Sequence, residues 1–374
     1  MINKKRLIKL TQNLIRINSE NPGSDEHEIA RFIKQYLNRI GVVAKIYEFK
    51  QRRSNIVALL KNKDSRHCLL LTPHLDTVPA GGNWRFPPFA AIINHQRIYG
   101  RGASDCKGNL AIALEAINSL VEDKKILNYN LIFAATADEE AGSSLGLLPL
   151  INKKIIDPDS ALILDAHEFN IVVTQKGLIH LKVKVQGKKA HGAYPWQGEN
   201  AIDLSIDIIK EIERHRFNYQ RNSLLRGPTV NVGTIHGGDR VNVVSDWCEF
   251  ELDIRFLPGM SCAAILKTVK NIIRRYTHRF KIEIEGIQKP YEIDKRHALV
   301  RYLLKAAKNF KIKAKVAGSD GATTITFFQR RHIPAVAFGI ASCGCAHITD
   351  EYLSISNLYN GAKVLEEFLK IYQF

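Results

Sequence analysis

The chain has 374 residues, which is too long for most single hydrophobic cores and predicts two domains. Its content of 45% hydrophobic and 24% charged residues is typical of a globular protein and excludes a disordered one. The formal net charge is +17, but the basic residues occur in short dispersed clusters, without the aromatic-interleaved stripe typical of nucleic-acid binding.

Signals for membranes, secretion and disulfides are also missing from the sequence. No apolar run approaches the length of a membrane span, and the basic N-terminus lacks the uninterrupted apolar stretch of a signal peptide. The six cysteines show no zinc-finger spacing, and a chain of this size needs no disulfide staples. We therefore expect a cytoplasmic protein with reduced thiols that binds neither a membrane nor nucleic acid.

The first part of the chain is predicted to contain both helices and strands. Apolar residues at helical spacing predict helices over 3–18 and 26–40. Strand-like runs follow at 42–47 and 55–60, and a long apolar helix is predicted from 109 to 121. Helices and strands in one domain are expected for an α/β protein.

Four short apolar strands share one further property, which is that each ends just before a histidine or an acidic residue. They are 68–71 before His74, 130–135 before Glu139 and Glu140, 161–164 before Asp165, and 333–338 before His347. In open α/β sheets, ligands bind at the carboxyl ends of the strands. The recurrence therefore predicts a site at one edge of one sheet.

Residues 178–288 follow a different order, β-α-β-β-α-β, which is typical of a small ferredoxin-like domain. The predicted elements are strands at 178–185, 229–235, 248–256 and 280–284 and helices at 200–214 and 262–274. This domain interrupts a larger one, whose two parts are predicted at 1–177 and 289–374.

The side chains at the predicted edge match the needs of two divalent ions lying about 3.5–4 Å apart. Such a centre needs a shared carboxylate, imidazole and carboxylate ligands, and a free base near the bound water. Of the adjacent Glu139 and Glu140, one can bind metal while the other faces the water. His74, His347, Asp105 and Asp165 supply the other ligands, with Asp105 placed for sharing by a glycine-rich turn.

Several motifs in a fixed order now identify a resemblance. They are His74-Leu75-Asp76-Thr77-Val78-Pro79, Gly100-Arg101-Gly102-Ala103-Ser104-Asp105-Cys106-Lys107-Gly108, Asp138-Glu139-Glu140, Gly233-Thr234-Ile235-His236-Gly237-Gly238, Asp253-Ile254-Arg255 and Ala346-His347-Ile348-Thr349-Asp350-Glu351. Over nearly its full length the chain resembles the di-zinc amidohydrolases that include acetylornithine deacetylase, succinyl-diaminopimelate desuccinylase, aminoacylase and carboxypeptidase G. The resemblance implies an α/β fold: a mixed-sheet, zinc-exopeptidase-like catalytic domain with an inserted ferredoxin-like lid and dimerisation domain.

The resemblance also implies a role for each metal-site residue. His74 and Asp165 would hold one Zn²⁺, Glu140 and His347 the other, and Asp105 would bridge them, with Co²⁺ or Mn²⁺ as possible substitutes. Asp76 would orient His74, its carboxylate accepting the second imidazole N–H. Glu139 would act as the general base, and the peptide bond between Asp105 and Cys106 would be cis.

The resemblance assigns three further residues in the inserted domain and suggests one in the second part of the catalytic domain. His191 would stabilise the oxyanion across a dimer interface. Asn242 and Arg255 would bind the substrate carboxylate, a task for which the planar guanidinium fork is suited. Gly318 lies in a Gly-Ser-Asp-Gly stretch that resembles a substrate-side loop.

Two assignments keep alternatives open. Asp165 aligns with the ligand that would share one Zn²⁺ with His74. His167 and Glu168 follow within three residues and are rival candidates for this position. Cys106, Cys343 and Cys345 lie near the predicted ligands, and thiolates bind zinc strongly. We expect these cysteines to act as small packing residues instead.

Together these features predict a metal-dependent hydrolase that cleaves the amide bond of a small anionic N-acyl amino acid and works as a homodimer. The alternative within the same chemistry is an exopeptidase for di- or tripeptides. A protein that keeps the fold as a binding module without catalysis is the rival from another class, and the presence of Glu139 argues against it.

Overall fold

The computed structural model describes residues 1–62 and 64–374, which form two compact units. The first unit comprises Met1–Val173, Ile293–Ala317 and Phe327–Phe374. The second comprises Thr174–Glu292 and the short segment Gly318–Thr326.

Helices and strands are interspersed along the chain. The α-helices are α1 (Lys4–Arg16), α2 (His27–Arg39), α3 (Gly108–Glu122), α4 (Leu147–Asn152), α5 (Ala201–Arg214), α6 (Cys262–Arg274), α7 (Ala298–Asn309), α8 (Ile325–Gln329) and α9 (Ile355–Ile371). The strands are β1 (Ala44–Glu48), β2 (Ser54–Leu60), β3 (Cys68–Thr72), β4 (Ile92–Asn94), β5 (Arg97–Tyr99), β6 (Asn130–Ala135), β7 (Ser160–Ile163), β8 (Asn170–Gln175), β9 (Gly177–Gln186), β10 (Thr229–Gly237), β11 (Trp247–Phe256), β12 (Phe280–Gln288), β13 (Tyr291–Glu292), β14 (Lys315–Ser319), β15 (Ala335–Phe338) and β16 (Tyr352–Ser354).

The first unit is built on a mixed sheet with the strand order β1-β2-β6-β3-β7-β15-β8. Its centre is parallel, since β3 pairs in parallel with β6 and β7, and β7 pairs in parallel with β15. The outer pairs β1–β2, β2–β6 and β15–β8 are antiparallel. The predicted mixed α/β fold class is thereby confirmed, and the four central strands are the four that the sequence pattern singled out.

Burial explains why these central strands read as unbroken apolar runs. Parallel strands are covered on both faces, so both sets of alternate side chains are apolar. Leu69, Leu70 and Leu71 of β3 are all fully buried. Helix α3 is buried on nearly every side and packs against α9, which explains its lack of a polar face.

A small sheet with the order β16-β5-β4 accompanies the large one. Tyr352 of β16 pairs with Tyr99 of β5, just before the Gly100–Gly102 turn. This pairing brings the chain that follows His347 alongside the turn that carries Asp105. The sequence analysis did not predict β4, β5, β16 or α9.

The second unit contains a four-stranded antiparallel sheet with the order β10-β11-β9-β12. Alternate side chains of β9 and β11 point inward, among them Leu181, Val183, Phe250 and Leu252, and they pack with α5 and α6. The other face carries ion pairs such as Lys184–Glu283 at 2.9 Å. Chain order and strand order are those of a ferredoxin-like domain.

Within the described part of the chain, no helix combines the length and the apolar character needed to cross a membrane.

Candidate metal centre

The ligand candidates lie where the parallel strands of the first unit end. His74 follows β3 and forms an isolated parallel bridge with Thr136, which follows β6. The backbone N–H of Leu75 donates to the carbonyl of Thr136 at 2.8 Å. These contacts continue the alignment of the two strands past their ends, so His74 and the Glu139–Glu140 pair emerge side by side.

Asp105 is the centre of the arrangement because its two carboxylate oxygens face different imidazoles. Its Oδ1 lies 2.8 Å from Nε2 of His74, and its Oδ2 lies 3.2 Å from Nε2 of His347. Nε2 of His347 also lies 3.1 Å from Oε2 of Glu140. The atoms of Asp105, Glu140 and His347 that could bind a metal all lie within 4.8 Å of one another. A carboxylate shared between two sets of nitrogen and oxygen donors is what a pair of cations requires.

The electrostatics of these side chains point the same way. Hydrogen bonds with Asp105 and Glu140 raise the pKa of His347 to about 10. Burial and the charge of Asp105 raise the pKa of Asp165 to about 7. Burial alone would raise the pKa of Asp105, but its hydrogen bonds with His347 and His74 hold it below the ordinary value. The crowded donors therefore attract positive charge, and their imidazole and carboxylate chemistry fits divalent metal ions.

Glu139 belongs to the same acidic group without joining the close ligand contacts described above. Burial, followed by the charges of Asp165, Glu140 and Asp105, raises its pKa well above the usual value. A carboxylate that lies beside the ligands and holds a proton readily has the chemistry of a general base.

Asp76 does more than the sequence predicted. The nearest partner of the His74 Nδ1 atom is the backbone carbonyl oxygen of Asp76 at 3.0 Å, and the carboxylate Oδ1 lies at 3.5 Å. The carboxylate accepts the backbone N–H groups of Glu139 at 3.1 Å and Glu140 at 3.2 Å. Asp76 therefore fixes the two glutamates as well as the imidazole.

A buried network that the sequence analysis missed continues from there. Asn21 donates to Asp76 at 3.0 Å and to Asp138 at 3.3 Å. Asp138 also pairs with Arg53 at 3.2 Å, and Arg53 forms a two-pronged ion pair with Glu26. Asp138 has a positive φ of 63°, so these contacts hold the start of the Glu139–Glu140 loop in an uncommon backbone conformation.

Asp105 itself lies in a turn of residues 103–107 that precedes α3. Gly102, before this turn, has φ of 82° and lies in the left-handed region that glycine tolerates. The peptide bond between Asp105 and Cys106 is cis, as the resemblance implies.

The structure separates Asp165 from its two rivals. Asp165 interacts electrostatically with Asp105, Glu140 and both imidazoles, whereas His167 and Glu168 are exposed. Asp165 lies outside the two tightest groups of ligand atoms, which are His74–Asp105–Cys106 and Asp105–Glu140–His347.

Cys106 packs against the end of β3. Its Sγ accepts the backbone N–H of His74 at 3.2 Å and lies 3.3 Å from the carbonyl oxygen of the same residue. Burial raises the pKa of this thiol to about 12, which favours the neutral form. Cys345 is buried and Cys343 is exposed.

Two of the predicted residues in the second unit are neighbours. His191 forms an isolated bridge with Val243, and the N–H of Gly192 donates to the carbonyl of Asn242 at 2.8 Å. Nδ1 of His191 accepts the backbone N–H of Ala193 at 3.0 Å. The neutral ring therefore carries its proton on Nε2 and offers a donor there.

The other two predicted residues of the second unit, Arg255 and Gly318, contact different parts of the chain. The guanidinium of Arg255 donates two hydrogen bonds to the carboxylate of Asp253. Nε donates to Oδ1 at 2.7 Å, and Nη2 donates to Oδ2 at 2.8 Å. Gly318 packs against the backbone of Leu224, where an added Cβ would lie 2.4 Å from the carbonyl oxygen.

Comparisons with known proteins agree with this geometry. A model of the peptidase family M20/M25/M40 matches residues 70–371 of the chain. The chain belongs to this family. The family and the ligand cluster make it a metal-dependent hydrolase.

Several solved structures share the fold over almost the whole chain. A tripeptidase from Staphylococcus aureus subsp. aureus Mu50 has 24% sequence identity and a TM-score of 0.85, and the match covers 99% of both chains. An aminopeptidase PepT from Bacillus cereus has 21% identity and a TM-score of 0.80, covering 99% of this chain and 98% of the other. A protein from Bacillus subtilis, described as a dinuclear metal-binding peptidase of the M20 family, has 15% identity and a TM-score of 0.76, covering 98% of each chain.

Proposed function

We propose that the chain is a dinuclear zinc exopeptidase that cleaves di- or tripeptides. The observation that carries the proposal is Asp105, whose two oxygens face His74 on one side and His347 on the other. The tripeptidase and aminopeptidase named above support a peptide substrate.

The ligand assignment follows from this geometry. His74 and Asp165 would hold one ion, Glu140 and His347 the other, and Asp105 would contribute one oxygen to each. Bound in this way, two divalent ions polarise the substrate carbonyl and lower the pKa of a water molecule. Cobalt or manganese could replace zinc, since imidazole and carboxylate donors suit them too.

Proton transfer would be carried out by a residue of the chain itself. Glu139 would take a proton from the attacking water and pass it to the leaving amine. The backbone bonds from Glu139 and Glu140 to Asp76 keep the base and the adjacent ligand in fixed relative positions.

The second unit would supply the remaining donors. We propose that it forms the lid and the contact of a homodimer, and that the Nε2–H of His191 stabilises the oxyanion in the partner's site. Asn242 lies next to His191 and would bind the substrate carboxylate. Arg255 would also bind this carboxylate, through guanidinium N–H groups that do not donate to Asp253. Gly318 would line the substrate side of the site.

N-acyl amino acids are the second candidate substrate. The net charge of +17 favours them, because acylation removes the positive amine and leaves an anion, whereas a peptide remains zwitterionic. The same water and base would cleave either amide.

A substrate panel on metal-loaded protein tests the choice. Tripeptides and dipeptides are compared with N-acetyl, N-succinyl and N-formyl forms of the same amino acids, with Glu139→Gln as the control for contaminating peptidases. We expect the highest kcat/KM on free peptides, and an amidated or acetylated tripeptide shows which end must be free. A higher kcat/KM on the N-acyl amino acids than on the free peptides would contradict the exopeptidase proposal and favour the second candidate substrate. Two bound ions without any turnover would contradict both.

A further inference from the structure

Glu351 lies four residues after His347 in the same motif, and the sequence analysis assigned it no function. Its side chain is completely buried. Oε1 accepts the backbone N–H groups of Ser104 at 2.8 Å and Asp105 at 3.0 Å. Oε2 accepts the N–H of Gly102 at 3.0 Å and Nη1 of Arg101 at 2.7 Å. One carboxylate thus receives four donors from the segment that carries Asp105.

The surroundings show why this segment needs such an acceptor. The turn around Asp105 is not a regular helix, so its N–H groups lack the partners of a helical ladder. Buried N–H groups without a partner are destabilising. Glu351 meets this need for Gly102, Ser104 and Asp105 at once.

The same cluster also reaches the chain near His347. Arg101, paired with Glu351, donates from Nη1 to the carbonyl of Ile348 at 3.2 Å. The N–H of Gly100 donates to the carbonyl of Glu351 at 2.9 Å. Glu351 therefore joins the segment before Asp105 to the segment after His347, two ligand candidates more than 240 residues apart in the chain.

We infer that Glu351 is a positioning residue that holds Asp105 at a fixed distance from His347 and so sets the spacing of the two metal positions. This inference rests on the proposed assignment of Asp105 and His347 as ligands. In this proposal Glu351 contacts neither metal nor substrate. Its effect passes through the backbone N–H of Asp105 and through Arg101.

The first test compares Glu351→Gln with Asp350→Asn. Asp350 is the preceding residue, and its carboxylate accepts the N–H of Arg85 at 2.9 Å, away from the Asp105 turn. The amide of Glu351→Gln would bring an NH₂ group against donors. We expect metal affinity and kcat to fall about 10- to 100-fold in Glu351→Gln, with KM changed little and excess metal restoring part of the rate. Asp350→Asn should stay within threefold of the wild type.

A second test separates positioning from simple charge balance. If Glu351 only neutralised the buried Arg101, the double variant Arg101→Met/Glu351→Gln would regain metal affinity. Positioning predicts that the double variant stays at least as weak as Glu351→Gln. Glu351→Asp keeps the charge but shortens the reach, so it should also bind metal more weakly than the wild type.

The results that overturn the inference are a metal affinity of Glu351→Gln within threefold of the wild type, or full recovery in the double variant. Circular dichroism and thermal melting show whether Glu351→Gln is folded. If it is not, the metal affinity of Glu351→Asp decides the test. Calorimetric metal binding needs no turnover. An inactive wild type that still binds two ions would therefore end the proposed function and leave the Glu351 inference open to the same measurement.

Discussion

Asp76 is the residue on which the geometry of the acidic pair depends. Its backbone carbonyl faces His74, while its carboxylate accepts the N–H groups of Glu139 and Glu140. The carboxylate is completely buried, so these bonds face no competition from water. One residue thus contacts the imidazole of His74 and holds the backbone of Glu139, the proposed base, and of Glu140, a proposed ligand.

Replacing Asp76 by asparagine should weaken metal binding and turnover together, by about 10- to 100-fold, because the amide cannot accept both N–H groups. Asp159→Asn is the matched control, since the Asp159 carboxylate accepts the N–H of Cys68 at 2.7 Å at the opposite end of β3. Calorimetry with zinc and steady-state kinetics measure both effects. Equal metal affinity in the two variants would show that Asp76 does not support the ligands.

Glu139 and Glu140 are neighbours with different expected roles, so a matched pair of substitutions separates them. Glu139→Gln should keep both metal ions and lose about 100- to 10,000-fold in kcat, because the base is gone and the ligands remain. Glu140→Gln should lose affinity for an ion. Metal analysis beside single-turnover kinetics distinguishes the outcomes, and loss of metal from Glu139→Gln would mean that the two roles are reversed.

For single residues, the sequence predicts the candidate ligands but not the bonds that hold them in place. His74, Asp105 and His347 could be predicted because they follow apolar strands or a glycine-rich turn. The supporting bonds could not, since Asp76 meets Glu139 across 63 positions and Glu351 meets Asp105 across 246. Such bonds depend on tertiary packing, which cannot be predicted from a local sequence pattern.

At the level of elements, the site is a property of four adjacent parallel strands. Strands β6, β3, β7 and β15 are neighbours in the sheet, and each is followed in the chain by a histidine or an acidic residue of the candidate site. Their apolar runs made them readable from the sequence. The three-residue strands β4, β5 and β16 are too short for periodicity to show. Helix α9 does carry a signal, since Ser354 caps it ahead of Leu358, Leu365 and Phe368 at helical spacing.

The loop after β7 depends on close contact with the end of β15. A Cβ added to Gly339 would lie 2.0 Å from the carbonyl oxygen of Ala166, the neighbour of Asp165. Gly339→Ala should therefore displace the Asp165 loop, lower the free energy of unfolding by about 1–3 kcal/mol and weaken metal binding.

The matched control for this substitution is Gly82→Ala, because an added Cβ there meets no atom within 4 Å. Its unfolding free energy should stay within about 0.5 kcal/mol of the wild type. Chemical denaturation and zinc titration of both variants give the comparison. A Gly339→Ala protein with unchanged zinc affinity would show that Asp165 is not placed by this contact.

At the level of the whole molecule, the proposal needs two chains. The protein should sediment at twice its chain mass of 42.2 kDa. Mixing two inactive variants, His191→Ala and Glu139→Gln, should restore activity, because a mixed dimer would contain one site with an intact base and an intact partner histidine. No recovery after confirmed subunit exchange would show that His191 does not act across the dimer.

The central claim is that Asp105 is shared by two metal ions, and anomalous diffraction at the zinc absorption edge tests it most directly. Crystals of the zinc-loaded protein should show two peaks, both next to the Asp105 carboxylate. One peak should contact His74 and Asp165, and the other should contact Glu140 and His347. A single peak, or a pair of peaks that leaves Asp105 unliganded, would contradict the account.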